Sequence, residues 1–214
     1  MNKGKELTFT IPQKRPFNNV YQFKITLLDT HPPVWRRIQV PESYTFYDLH
    51  VAIQNAMGWT DSHLHCFEKR DTKTKHWGEY LVRIDCPFAV EEFAEEENTL
   101  YTTETSITQF FKKPNDKIYY TYDFGDNWEH QIVLEKILPK KSGVKYPLCL
   151  DGKLACPPED CGSIPGYYDC IEVFKNKNDE ELLEWMGDWD PNLFDPKEVI
   201  FEDPKKRFEE SWEG

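Results

Sequence analysis

Apolar positions in the first half of the chain follow two periods. Between Val20 and Leu28, Tyr21, Phe23, Ile25 and Leu27 alternate with Gln22, Lys24 and Thr26, which is the pattern of a half-buried strand. His31-Pro32-Pro33 breaks it. In the second strand that follows, Val34, Ile38 and Val40 share one face; Trp35 and Arg37 share the other, where indole and guanidinium can stack. The spacing then turns helical. Phe46, Leu49, Ile53 and Met57, with Ala52 and Ala56 beside them, predict a helix over 46–57. Thr45 can cap it, Asp48 sits in its first turn, and Gly58 stops it.

Further on, "HLHCFEK" and "YLVRI" read as strands, "EEFAEEE" as an exposed loop or helix end, and Thr105 to about Lys112 as a short helix. "KIYYTYDFGDNWEHQIVLEKIL" predicts two strands around a turn at Gly125-Asp126-Asn127. Ile118, Tyr120, Tyr122 and Phe124 alternate on one; Trp128, His130, Ile132 and Leu134 alternate on the other. Three short helices follow: about Tyr167 to Lys175, one from Asp179 to Gly187, and one opened by Asp203-Pro204. This order predicts an α+β fold, a mainly antiparallel sheet covered by the 46–57 helix with short C-terminal helices. Residues 1–19 read as a flexible arm, and 20–214 as a single domain whose part from about 172 is acidic and helical.

Charge narrows the partners. The formal net charge is −12. Fourteen acidic against six basic residues lie from Glu172 onward, while the first sixty residues are mildly basic. Basic groups come as pairs (Arg36-Arg37, Lys112-Lys113, Lys140-Lys141) rather than stripes, which disfavours duplex nucleic acid. A protein or small-molecule partner remains. The N-terminus has no signal-type apolar region and no run is long enough to span a membrane, so the sequence reads as cytoplasmic.

Three groups could carry chemistry. Cys149, Cys156 and Cys161, with Cys170 after them, lie in "CLDGKLACPPEDCGSIPGYYDC". In a reducing compartment such a cluster holds zinc, buried thiols or redox chemistry; His130 is a candidate fourth ligand and Cys170 a candidate core residue. His63 and His65, on one face of a strand, form with Asp126 and His130 a candidate metal or acid–base site, to which Asp123 and Glu129 add carboxylates. Trp35, Trp59, Trp77 and Trp128 line either a core or a binding surface that includes Arg36. There is no phosphate-binding glycine loop, G-x-S-x-G elbow, HExxH or EF-hand loop.

"PPVWRRIQVP", "FYDLHVAIQNAMGW", "HLHCFE", "YDFGDNWEHQIVLE" and "ACPPEDCGSIPGY" occur in the order seen in the plasmid pRiA4b ORF-3-like family, which the chain resembles from about Val20 to Phe174. The resemblance implies a compact α+β domain without a settled activity. Its motif positions here are Trp35, Arg36, Asp48, Leu49, Trp59, His63, His65, Asp123, Gly125, Asp126, Trp128, His130 and Cys156 to Cys161; Ser163-Ile164 departs from the family pattern. Members also carry a resolvase-like name as mobile-element passengers. Strand exchange needs an arginine-rich pocket and a basic reading helix, and this chain has neither. The sequence therefore favours a non-enzymatic binding or adaptor domain, with zinc at the cysteine loop as an option. The alternative is a metal-dependent hydrolase or phosphoesterase using His63, His65, Asp126 and His130. A DNA-associated accessory protein of a mobile element is the weakest reading.

Overall fold

Eight strands form one sheet in the order β5-β4-β3-β6-β7-β1-β2-β8, and four helices pack around it. The computed structural model describes residues 10–71, 80–91 and 100–213. Trp77 and most of the "EEFAEEE" run lie outside the described residues. The strands are β1 (Asn19–Leu27), β2 (Trp35–Pro41), β3 (His65–Arg70), β4 (Tyr80–Asp85), β5 (Leu100–Tyr101), β6 (Lys117–Tyr122), β7 (Trp128–Pro139) and β8 (Leu148–Lys153). All neighbours run antiparallel except β4 and β5. The α+β architecture is as the sequence implies.

β1 lies between β7 and β2, with Phe23 opposite Ile38 of β2 and Leu134 of β7. Its alternation sends Tyr21, Phe23, Ile25 and Leu27 into the core, where Ile118, Tyr120, Tyr122, Trp128, Ile132 and Leu134 join them from β6 and β7. The other face is polar. Gln22, Gln39, Arg37, Glu135 and Asp151 form one hydrogen-bonded network there. Trp35 lies between Lys24 and Arg37, with the Arg37 guanidinium 5.0 Å from its ring centre.

The core face is covered by α1 (Phe46–Met57). Thr45 and Asp48 form a reciprocal capping box, and Gly58 ends the helix in the left-handed conformation at φ 97°. The helix predicted at 105–112 shrinks to a 3-10 turn, Ile107–Gln109. Phe111 is drawn into the core beside Phe23 and Phe46, which stops the turn from propagating.

The C-terminal third carries α2 (Ser163–Asn176), α3 (Glu180–Met186) and α4 (Pro204–Glu213). α2 begins earlier than the sequence implies because Asp126 receives its first turn: the Gly162 N–H donates to Oδ2 at 3.0 Å, and Ser163 Oγ donates to the Asp126 carbonyl. Asp179 caps α3 through Leu182 N. The described part of the N-terminal arm, 10–18, has no regular secondary structure and meets the body at Glu104, Glu42, Tyr146 and Asp203. No helix among the described residues is long and apolar enough to cross a membrane.

Candidate functional site

The "HLH" stretch does not lie on one strand. β3 starts at His65, paired with Tyr122, and His63 stays in the loop before it. The two side chains therefore part. His65 is buried against α1, while His63 is part-exposed. Both still line one cleft of about 410 Å³, together with Tyr47, Asp61, Phe88, Asp123 and Phe124.

At its mouth His63 Nε2 lies 2.8 Å from Asp160 Oδ1 and 3.8 Å from Asp123 Oδ2. One ligand atom from each of these three residues lies within 4.8 Å of the others. Asp123 follows β6 directly, and its Oδ1 accepts the Gly125 N–H at 2.8 Å, leaving Oδ2 toward His63. Asp160 arrives from the "CPPEDC" stretch. Two indoles hold that stretch: Trp59 Nε1 donates to the Pro157 carbonyl and Trp189 Nε1 to the Cys156 carbonyl. Glu159 beside it accepts from the Tyr122 hydroxyl and from Thr60 N. Asp61 and Asp123 of the cleft and Asp160 beside it all have left-handed backbones, with φ 61°, 54° and 56°. That region is sparsely used by residues with side chains, and aspartate is among those that tolerate it.

Behind Asp61 a buried hydrogen-bond ring closes on itself. Gln54 Nε2 donates to the Tyr120 hydroxyl at 2.9 Å, and that oxygen lies 2.8 Å from His50 Nδ1. His50 Nε2 lies 2.7 Å from Asp61 Oδ1, and Asp61 N returns to Gln54 Oε1 at 3.1 Å. The ring is fully paired when His50 carries its proton on Nε2 and accepts from Tyr120 at Nδ1. His65 lies flat on His50, with ring centres 3.5 Å apart and planes 10° apart. Burial, helped by the neighbouring His50, pushes the His65 pKa well down and keeps its ring neutral.

The other sequence candidates fall elsewhere. Asp126 is taken up by the start of α2. His130 is wholly buried on β7 between Trp59 and Tyr120, and burial lowers its pKa to about 3. It therefore joins neither His63 nor His65 as an acid–base partner. No three of Cys149, Cys156, Cys161 and His130 place ligand atoms within 4.8 Å of one another. The cysteines are free. Cys149 sits on edge strand β8, Cys156 is buried near Arg36, and Cys161 hydrogen-bonds Cys170 across the start of α2. Burial pushes the Cys161 thiol up to about 12, and raises Cys149, Cys156 and Cys170 as well.

Most of the expected aromatic surface is interior. Arg36, Trp59 and Trp128 are 1%, 4% and 1% exposed, so among the described residues of that candidate binding face only Trp35 reaches solvent. Arg36 points inward with Val34, Ile38 and Val40 because it shares their strand parity. It donates to the carbonyls of Ala56, Trp35 and Lys153, and its guanidinium lies 3.6 Å from the Phe194 ring centre.

The histidine loop, the Asp123 turn and the "CPPEDC" stretch thus meet at His63, and all fall inside the segment 19–198, which matches the family model described as plasmid pRiA4b ORF-3-like protein. The chain belongs to that family. The chain is 35% identical over 179 residues to the uncharacterised protein y4hQ of Sinorhizobium fredii (strain NBRC 101917 / NGR234), covering 80% of this chain and 83% of that protein. It is also similar to the crystal structure of a protein of unknown function, MM3350, from Methanosarcina mazei Go1. There the identity is 43% and the TM-score 0.75, over 88% of this chain and 100% of that one.

Sequence reasoning missed His50, Asp61, Glu159 and Asp160. Glu159 and Asp160 stand between Cys156 and Cys161, and Asp61 lies two residues before His63.

Proposed function

We propose that this family member is a divalent-metal-dependent hydrolytic enzyme working in the His63–Asp123 cleft. One observation carries the reading. His63, Asp123 and Asp160, drawn from three loops and up to 97 positions apart, converge to within 4.8 Å at the edge of a cleft large enough for a small substrate. One imidazole nitrogen and two carboxylate oxygens are a donor set for zinc, manganese or iron(II), and three protein ligands leave positions open for water and substrate. A bound ion supplies Lewis acidity and an acidic water.

The chain's own residues do the rest. His63, Asp123 and Asp160 hold the charge in place, and the paired Gly125 amide fixes the orientation of the Asp123 carboxylate. Leu64, Phe88 and Phe124 give the cleft an apolar wall. In the reaction water adds across an ester or amide bond, so that the carbonyl carbon gains oxygen and the leaving alcohol or amine takes a proton. No lysine or arginine is among the described residues lining the cleft. That favours carboxylic esters and amides over phosphoesters, whose extra negative charge calls for cationic side chains.

The test is turnover by metal-depleted protein reloaded with zinc or manganese, on nitrophenyl ester, anilide and phosphate probes. Asp123→Asn and His63→Ala each lower turnover by about a hundredfold or more while leaving the melting temperature of the metal-free protein nearly unchanged. An ion bound without turnover makes the cleft a binding site of a non-catalytic domain. Absence of metal binding overturns the reading.

A further inference from the structure

The cation site just described leaves part of the same cleft unused. His65 lines it two positions from His63, is 1% exposed, and its Nε2 has no hydrogen-bond partner. An orphaned polar nitrogen at such a site costs free energy unless something binds it. His50, Asp61 and His65 each bring one ligand atom to within 4.8 Å of the others.

The three are not equivalent. Both His50 nitrogens are engaged, one by Tyr120 and one by Asp61. Its ring lies flat on His65 at 3.5 Å, so the in-plane lone pairs of the two rings run side by side and do not meet at a common point. The usable donors are His65 Nε2 and the Asp61 carboxylate. His50 holds that carboxylate from behind, as outer partners do at metal centres. Arg207 lies 4.0 Å from the other Asp61 oxygen and is itself bound by Glu202 and the Thr60 carbonyl.

We propose that His65 and Asp61 hold a second divalent transition-metal ion in the cleft, with water completing its coordination. Imidazole nitrogen and carboxylate oxygen are both donor types that zinc takes, and with two protein ligands water fills the remaining positions. The proposal rests on the hydrolase reading for its neighbour at His63, Asp123 and Asp160, yet the two sites share no ligand and can be removed separately.

Zinc content and calorimetric titration of the full-length chain test it, using the wild type, Asp123→Asn, His65→Gln and the double variant. The expected contents are about two zinc per chain, one in each single variant and none in the double variant. Undiminished binding in His65→Gln overturns the second site and leaves the first. Loss in His65→Gln with none in Asp123→Asn supports the second site and overturns the first. No zinc in the wild type overturns both. Because His65 is buried and its variant can misfold, the imidazole ¹⁵N resonance of His65 in the wild type supplies a second readout. Zinc moves it if Nε2 is a ligand; an unmoved resonance overturns the proposal.

Discussion

A single buried cation shows how finely this fold is balanced at the residue scale. Arg36 has no carboxylate partner among its hydrogen bonds; three carbonyls and the Phe194 ring surround it. One of those carbonyls, Ala56, belongs to the last turn of α1, where the helix dipole favours positive charge. Phe194 reaches the guanidinium because residue 152 is glycine: a Cβ there would lie 2.3 Å from Phe194 Cε1 and 2.9 Å from the Trp35 carbonyl. Arg36→Ala orphans three acceptors and opens a cavity, so we expect a loss of about 3 kcal/mol or more in chemical denaturation. Arg36→Lys recovers only part of it, since an ammonium cannot span the same acceptors. Gly152→Ala should cost about 1–3 kcal/mol. A double-mutant cycle with Phe194→Ala should show strong coupling, because the same ring accounts for both effects.

At the scale of the element, α1 carries a pH dependence. Asp48 completes the capping box by accepting from Thr45 N and Oγ1, yet burial raises its pKa from 3.8 to about 6 against those hydrogen bonds. Arg15 nearby lowers it and Asp203 raises it. A carboxyl raised on folding favours the native state while protonated, so its contribution is complete below about pH 4 and is lost as pH rises through 6. The lost stability is about 3 kcal/mol. Asp48→Asn keeps an acceptor for Thr45 N and should flatten stability between pH 4 and 6, read by urea unfolding at several pH values.

Elements were also where the sequence was most legible. The 46–57 helix, its cap and its stop follow from local spacing and local chemistry, and so do β1, β6 and β7. β8 was hidden because half of "LCLDGK" is exposed at a sheet edge and it lacks a strong alternation. The site was less legible than the fold. His63 and His65 were in view, but where β3 begins is fixed by pairing to β6, and that decides which way each histidine turns. Asp61 and Asp160 are loop residues whose meaning depends on neighbours far away in the chain.

Across the whole molecule, charge is unevenly spread. The net −12 is concentrated after Glu172, and the described cleft lining adds Asp61 and Asp123 without a lysine or arginine. Association with duplex DNA releases counterions only where cationic side chains meet phosphates. We therefore expect no rise in anisotropy of a labelled duplex at low salt, and hence no salt-dependent affinity to measure. Saturable, salt-sensitive binding would contradict this.

The two indoles of the core also give the protein an optical signature. Trp59 and Trp128 sit 6.0 Å apart at 33°, and Trp59 is tied through its N–H to the Pro157 carbonyl. Chromophores this close and this rigid share their excited states. The folded chain should display a tryptophan exciton couplet in far-ultraviolet circular dichroism, and any event that loosens the "CPPEDC" segment should dim it before the backbone signal changes.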